Sequence, residues 1–145
     1  FEMGEKIKAK NGKENPAMPK HPLLKNLIEQ YHLLPKIEGQ VLHQVLVTDV
    51  ENGYCGQIDK LIIIGEKKCI IRDFKVNIDC LTEDKNLKAL APFDILPANK
   101  ITKYALQVNG YRQMLEKSGW IVEKMEAIVY ENSWVVYPLE RINVI

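Results

Sequence analysis

The sequence predicts an α/β domain: a mixed β-sheet, built from an antiparallel meander and two strands that follow a helix, with helices flanking it. Three observations predict it. Residues 41–76 hold three β-branched, apolar runs separated by short turn signals. Residues 101–117 carry apolar side chains at helical spacing. Two more strand-like runs, 121–130 and 134–139, follow that helix. The order is α-β-β-β-(loop)-α-β-β, without internal repeats. A length of 145 residues suits one domain spanning 1–145, large enough to bury most of a single core.

Taken in order, residues 1–20 are Lys-rich and poor in large apolar residues. They read as a solvated basic arm, with a turn of helix near Glu2–Lys10 and a loop over Asn11–Pro16. Lys6, Lys8, Lys10, Lys13 and Lys20 could touch phosphate. Pro22 suits a first helical turn, and Leu23, Leu24, Leu27, Ile28 and Tyr31 give an amphipathic helix over 22–34, ended by Pro35. Strands follow at 41–50, 54–64 and 68–76. Asn52-Gly53 signals the first hairpin, and Gly65-Glu66-Lys67 breaks the second. The run Leu61–Ile64 is dense enough for a buried central strand. Residues 77–100 read as a long excursion beside the active site, with a short helix near 83–90. Ile101, Tyr104, Ala105, Val108 and Leu115 form the stripe of the second helix, stopped by Ser118-Gly119. Glu131-Asn132-Ser133 turns the last two strands.

Composition excludes several classes. With 46% hydrophobic and 27% charged residues, the chain is neither disordered nor collagen-like. No apolar run approaches the roughly 20 residues of a membrane span. The net charge of +1 gives no bulk basic signal, so nucleic-acid contact must come from local patches. Cys55, Cys69 and Cys80 are odd in number and form no C-x-x-C, which argues against a zinc knuckle or disulfide framework and for a reducing, intracellular compartment. The chain opens on Phe1 without Met, as expected of a cut-out domain or a processed fragment.

Charged residues inside apolar strands are the chemical signal. Asp59 interrupts the second strand, and Asp73 and Lys75 interrupt the third. Burying a carboxylate is costly unless it is paired or binds a metal. Two residues apart on a strand, Asp73 and Lys75 share a face, and Phe74 points the other way. With six Asp and 17 Lys, about 0.7 Asp-x-Lys triplets arise by chance, so the strand context and the neighbouring Asp59 carry the weight. A structural ion pair accounts for the same residues. Gln107 and Tyr111, four apart, stack at the edge of the apolar stripe of the second helix.

Gly56-x-x-Asp59, Asp73-x-Lys75 and Gln107-x-x-x-Tyr111, in that order on strand, strand and helix, resemble the PD-(D/E)XK nuclease superfamily, nearest its RecB-like and phage-type exonuclease branch. The resemblance covers about residues 41–139. It implies a restriction-endonuclease-like core and Mg²⁺- or Mn²⁺-dependent cleavage of DNA, in recombination or repair, in the cytoplasm of a bacterium or phage-infected cell. It also implies that Asp59, Asp73 and the backbone carbonyl of Phe74 ligate the metal. Lys75 would orient or activate the attacking water, and Gln107 and Tyr111 would hold the site and the nucleic-acid backbone. A homo-oligomer or a larger recombination complex fits the same resemblance. Relatives often carry Gly-x-x-x-His upstream; here Gly4-Glu5-Lys6-Ile7-Lys8 has Lys in that place, with His21, Glu29 and His32 as other candidates. Some carry a Glu on the strand before Gly-x-x-Asp, where this chain has His43 and Gln44. The cysteines do not match the family's iron–sulfur arrangement, so no cluster is expected. The alternatives are a catalytically degenerate binding or assembly module on the same fold, and a plain structural domain whose charges are ion pairs.

Overall fold

The computed structural model describes residues 22–76, 100–131 and 133–144. The basic arm, the excursion over 77–99 and its short helix lie outside the described residues. The rest is α/β: helices α1 (Pro22–Tyr31) and α2 (Lys100–Lys117), and one mixed sheet of β1 (Gln40–Asp49), β2 (Tyr54–Gly65), β3 (Lys68–Val76), β4 (Ile121–Tyr130) and β5 (Trp134–Pro138). The spatial order follows the chain. β1-β2, β2-β3 and β4-β5 are antiparallel, and β3-β4 is parallel. No helix among the described residues is long and apolar enough to cross a membrane.

Turn chemistry sets the ends. α1 stops at Tyr31, three residues short of the expected end. Leu33 N–H donates to the Gln30 carbonyl at 3.0 Å and Leu34 N–H to that of Tyr31 at 3.2 Å, so the last turn tightens before Pro35. The first hairpin closes on the pair Asp49↔Tyr54, a wider loop than the Asn-Gly signal implied. Asp49 closes it from within, accepting from Asn52 N–H at 3.1 Å and Asn52 Nδ2 at 2.7 Å. Those bonds and Lys117 hold its carboxyl down at about 2. α2 ends in a Schellman motif: Trp120 N–H reaches the Leu115 carbonyl at 3.1 Å, Gly119 N–H reaches that of Glu116 at 3.0 Å, and Gly119 supplies the φ of +88°.

The sheet divides the core. On the α2 side Ile58, Leu61, Cys69 and Ile71 pack with Val108, Tyr111 and Met114 of the helix. On the α1 side Phe74, Ile128, Tyr130 and Trp134 pack with Tyr31. Trp134 Nε1 donates to the Leu27 carbonyl at 2.9 Å, and Asn26 Nδ2 donates to the Tyr130 hydroxyl. Phe74 thus faces away from Asp73 and Lys75, as alternation requires.

A strap that the sequence did not announce ties the chain's end to α2. Asn109, wholly buried, donates through Nδ2 to the Ala105 carbonyl at 2.8 Å and the Glu140 carbonyl at 2.7 Å. Its Oδ1 accepts from Arg112 Nε at 2.9 Å and Ile142 N–H at 2.8 Å. Arg112 in turn donates to the Ile142 carbonyl at 2.9 Å and pairs with Glu116 at 2.8 Å. Removing a buried amide strands several partners at once, so Asn109→Ala is expected to cost roughly 2–4 kcal/mol. Denaturant unfolding measures it; a loss below about 0.5 kcal/mol would mean that water replaces the strap.

Candidate active site

Register brings the two strand carboxylates together. β2 and β3 pair as Lys60↔Arg72, Leu61↔Ile71 and Ile62↔Ile70, and this register, carried one step past the end of the ladder, points Asp59 toward Asp73. A regular two-residue turn would have set Asp59 against Phe74. The shift between Ile63 and Gly65, where Ile64 is left unpaired, moves the ladder by one residue and aligns the carboxylates. Directly opposed residues share a face, with Cβ atoms about 5 Å apart.

The sheet forks at this point. Past Lys60↔Arg72 no pair joins β2 to β3, while β2 stays with β1 as far as Tyr54 and β3 stays with β4 as far as Val76. Asp59 and Asp73 sit in the crotch of the fork. The Phe74 N–H, freed from the β2 ladder, donates to Asp59 Oδ2 at 2.9 Å. Asp73 is only 3% exposed, and among the described residues its Oδ2 has no hydrogen-bond partner. Lys75 Nζ lies 3.1 Å from that oxygen, an ion-pair contact without hydrogen-bond alignment. The Lys75 ammonium also sits 5.3 Å from the centroid of the Tyr104 ring. Burial pushes the Asp73 carboxyl up to about 6; the Lys75 charge pulls against this and the Asp59 charge adds to it.

α2 covers the α2 side of the fork. Tyr111 is buried, and Gln107 Nε2 donates to its hydroxyl at 2.7 Å. Burial raises the phenol's pKa, Gln107 lowers it, and the charges of Asp73, Lys75 and Asp59 all act on it. The five side chains expected to act together are therefore neighbours. Gly56 explains itself here, because a Cβ at that position would come within 2.2 Å of Tyr111 Cε1. The expected cost of Gly56→Ala is about 1–3 kcal/mol from overpacking, with the tyrosine ring displaced from Gln107. In a Tyr111→Ala background the same substitution should cost almost nothing. A double-mutant cycle reads that coupling, and additive costs would break the link between Gly56 and the ring.

Two carboxylates, one of them with a buried oxygen that meets only the Lys75 ammonium, under a tyrosine, suit a hard divalent cation. Among the described residues no group of three or more His, Cys, Asp or Glu gathers. Glu29 lies on α1, His32 directly follows it, and His43 and Gln44 lie on β1. A cavity of about 320 Å³ opens on the opposite face, lined by Tyr31, Pro35, Val41, Lys60 and Arg72. Its buried cations are engaged: Arg72 with Glu126 at 3.1 Å, and Lys60 with the Tyr31 hydroxyl at 2.9 Å. The chemistry-bearing residues lie instead at the open fork. No family model matches the sequence, and no curated protein matches it.

Proposed function

We propose that the chain is a Mg²⁺- or Mn²⁺-dependent deoxyribonuclease of the PD-(D/E)XK kind, on a restriction-endonuclease-like core, acting in recombination or repair in a bacterial or phage-infected cytoplasm. The observation that supports this reading is the buried Asp73 carboxyl, ion-paired to Lys75 and acted on by the Asp59 charge, at the point where the β2–β3 ladder ends. Asp59, Asp73 and the Phe74 carbonyl would hold the metal. Bound there, it would supply charge neutralisation at the phosphate and lower the pKa of water.

The chain's own residues do the rest. Lys75, anchored on Asp73 and against Tyr104, places a positive charge where negative charge develops on phosphate. Asp59 is oriented by the Phe74 N–H, so its second oxygen is directed by a backbone bond and not by a mobile side chain. Tyr111 shuts the fork from the α2 side, and Gln107, exposed beyond it, lies where a nucleic-acid backbone would pass. A homo-oligomer or a larger recombination complex would supply further surface for DNA.

The test is incubation of the purified protein with end-labelled linear and with circular DNA in Mg²⁺, Mn²⁺ or EDTA. Cleavage is expected in either metal and none in EDTA. Cleavage confined to free ends marks an exonuclease. Protein that binds Mn²⁺ and cuts neither DNA nor RNA would instead be the degenerate binding or assembly module.

A further inference from the structure

Alternation puts Val41 of β1, Lys60 and Ile62 of β2 and Arg72 of β3 on the α1 face, where they floor the cavity of about 320 Å³. Tyr31 and residues 34–37 close over it. Its size is that of a small-molecule pocket, and so is its makeup of apolar walls with a few polar groups. Two of those groups are buried cations. Lys60 is 8% exposed and Arg72 4%, and they stand directly opposite each other on β2 and β3. Like charges so placed repel, more strongly out of water. Glu126, across from Arg72 on β4, accepts from its Nε at 3.1 Å. Lys60 Nζ donates to a neutral group, the Tyr31 hydroxyl, at 2.9 Å. Arg72 Nη1 and Nη2 both turn to one acceptor, the Pro35 carbonyl, at 3.4 Å each, beyond the usual reach of about 3.2 Å. A guanidinium carries five N–H groups and these bonds use three. Two N–H groups of Arg72 therefore have no acceptor among the described residues, although the side chain is buried.

We propose that this cavity binds a small organic carboxylate with an apolar body. The carboxylate takes the spare guanidinium N–H groups of Arg72, whose planar fork matches two carboxylate oxygens, and its charge offsets the opposed Lys60 and Arg72. The apolar body lies against Val41, Ile62 and the Tyr31 ring. An inorganic oxyanion has nothing to set against those walls, and an amine or a neutral analogue leaves the cations as they are. The site lies on the sheet face opposite Asp73 and does not depend on the nuclease reading.

The experiment titrates the protein with benzoate, benzyl alcohol, benzylamine, acetate and inorganic phosphate at fixed ionic strength, following amide chemical shifts by NMR. Benzoate should bind saturably, with a Kd of about 1 mM or tighter, and should move the amides of Val41 and Ile62. The other four should bind at least about tenfold more weakly, each lacking either the carboxylate or the apolar body. Arg72→Lys keeps the charge and removes the fork, and should weaken benzoate about tenfold or more. Val41→Trp fills the cavity and leaves both cations in place, and should weaken it at least as much. Where Arg72→Lys does not fold, Val41→Trp carries the same decision. A wild type that binds no benzoate, or binds benzyl alcohol or phosphate as tightly, would overturn the proposal. So would benzoate binding that folded Arg72→Lys and Val41→Trp proteins both retain in full, or that shifts amides elsewhere and leaves Val41 and Ile62 unmoved.

Discussion

Asp73→Asn should abolish nuclease activity, by at least about a thousandfold, and should at the same time make the metal-free protein more stable near neutral pH. Both effects come from one buried carboxyl. Its pKa is raised to about 6 from an ordinary 3.8, chiefly by burial. Between those values the folded chain binds more protons than the unfolded chain, so the group's contribution to stability falls as pH rises through about 4 to 6. Above about 6 the penalty is complete, on the order of 2–3 kcal/mol. The Asn variant lacks this titration. Unfolding in EDTA should therefore find it more stable than the wild type by about 1–3 kcal/mol at pH 7.5, with the difference shrinking toward zero near pH 4. An Asn variant less stable than the wild type at pH 7.5 would mean that Lys75 outweighs the burial of Asp73.

Lys75→Met should lower turnover by about a hundredfold to ten-thousandfold while leaving Mn²⁺ affinity equal or several-fold tighter. The ammonium lies 3.1 Å from Asp73 Oδ2, so it would compete with a cation for that oxygen, and in the proposed reaction it would offset charge growing on the phosphate. Single-turnover kinetics at saturating Mn²⁺, beside a metal titration, separate the two roles. A fully active Lys75→Met protein would reduce Lys75 to an ion-pair partner of Asp73.

The fold was legible where apolar spacing decides it. Strand β3 runs over the residues its pattern marked, and α2 differs from expectation by one residue at its start. What escaped was local and odd-numbered. Nothing in Ile62-Ile63-Ile64-Gly65 marks Ile64 as the one left unpaired, yet that bulge decides whether Asp59 meets Asp73 or Phe74. The left-handed backbone at Gln44, with a φ of +52°, has no compositional mark either, because glutamine is no signal for that conformation. Gly56 was visible as a glycine, but its reason is the ring of Tyr111, which only the packing of α2 on β2 supplies. The Asn109 strap went unannounced. Asn109 and Arg112 fall on the apolar side of α2, and polar groups there need buried partners. Those partners are backbone groups of 140–142, in a segment without regular structure, and no periodicity points to them.

The site was legible as types in order on strand, strand and helix. Its geometry was not, since convergence depends on a single register step. The most direct test is one calorimetric titration of Mn²⁺ into the wild type, Asp59→Asn and Asp73→Asn proteins. The expected result is saturable binding by the wild type, weakened at least about a hundredfold by either substitution, because both carboxylates hold one ion. Binding that neither substitution changes, or a wild type with no saturable binding, would contradict the shared site.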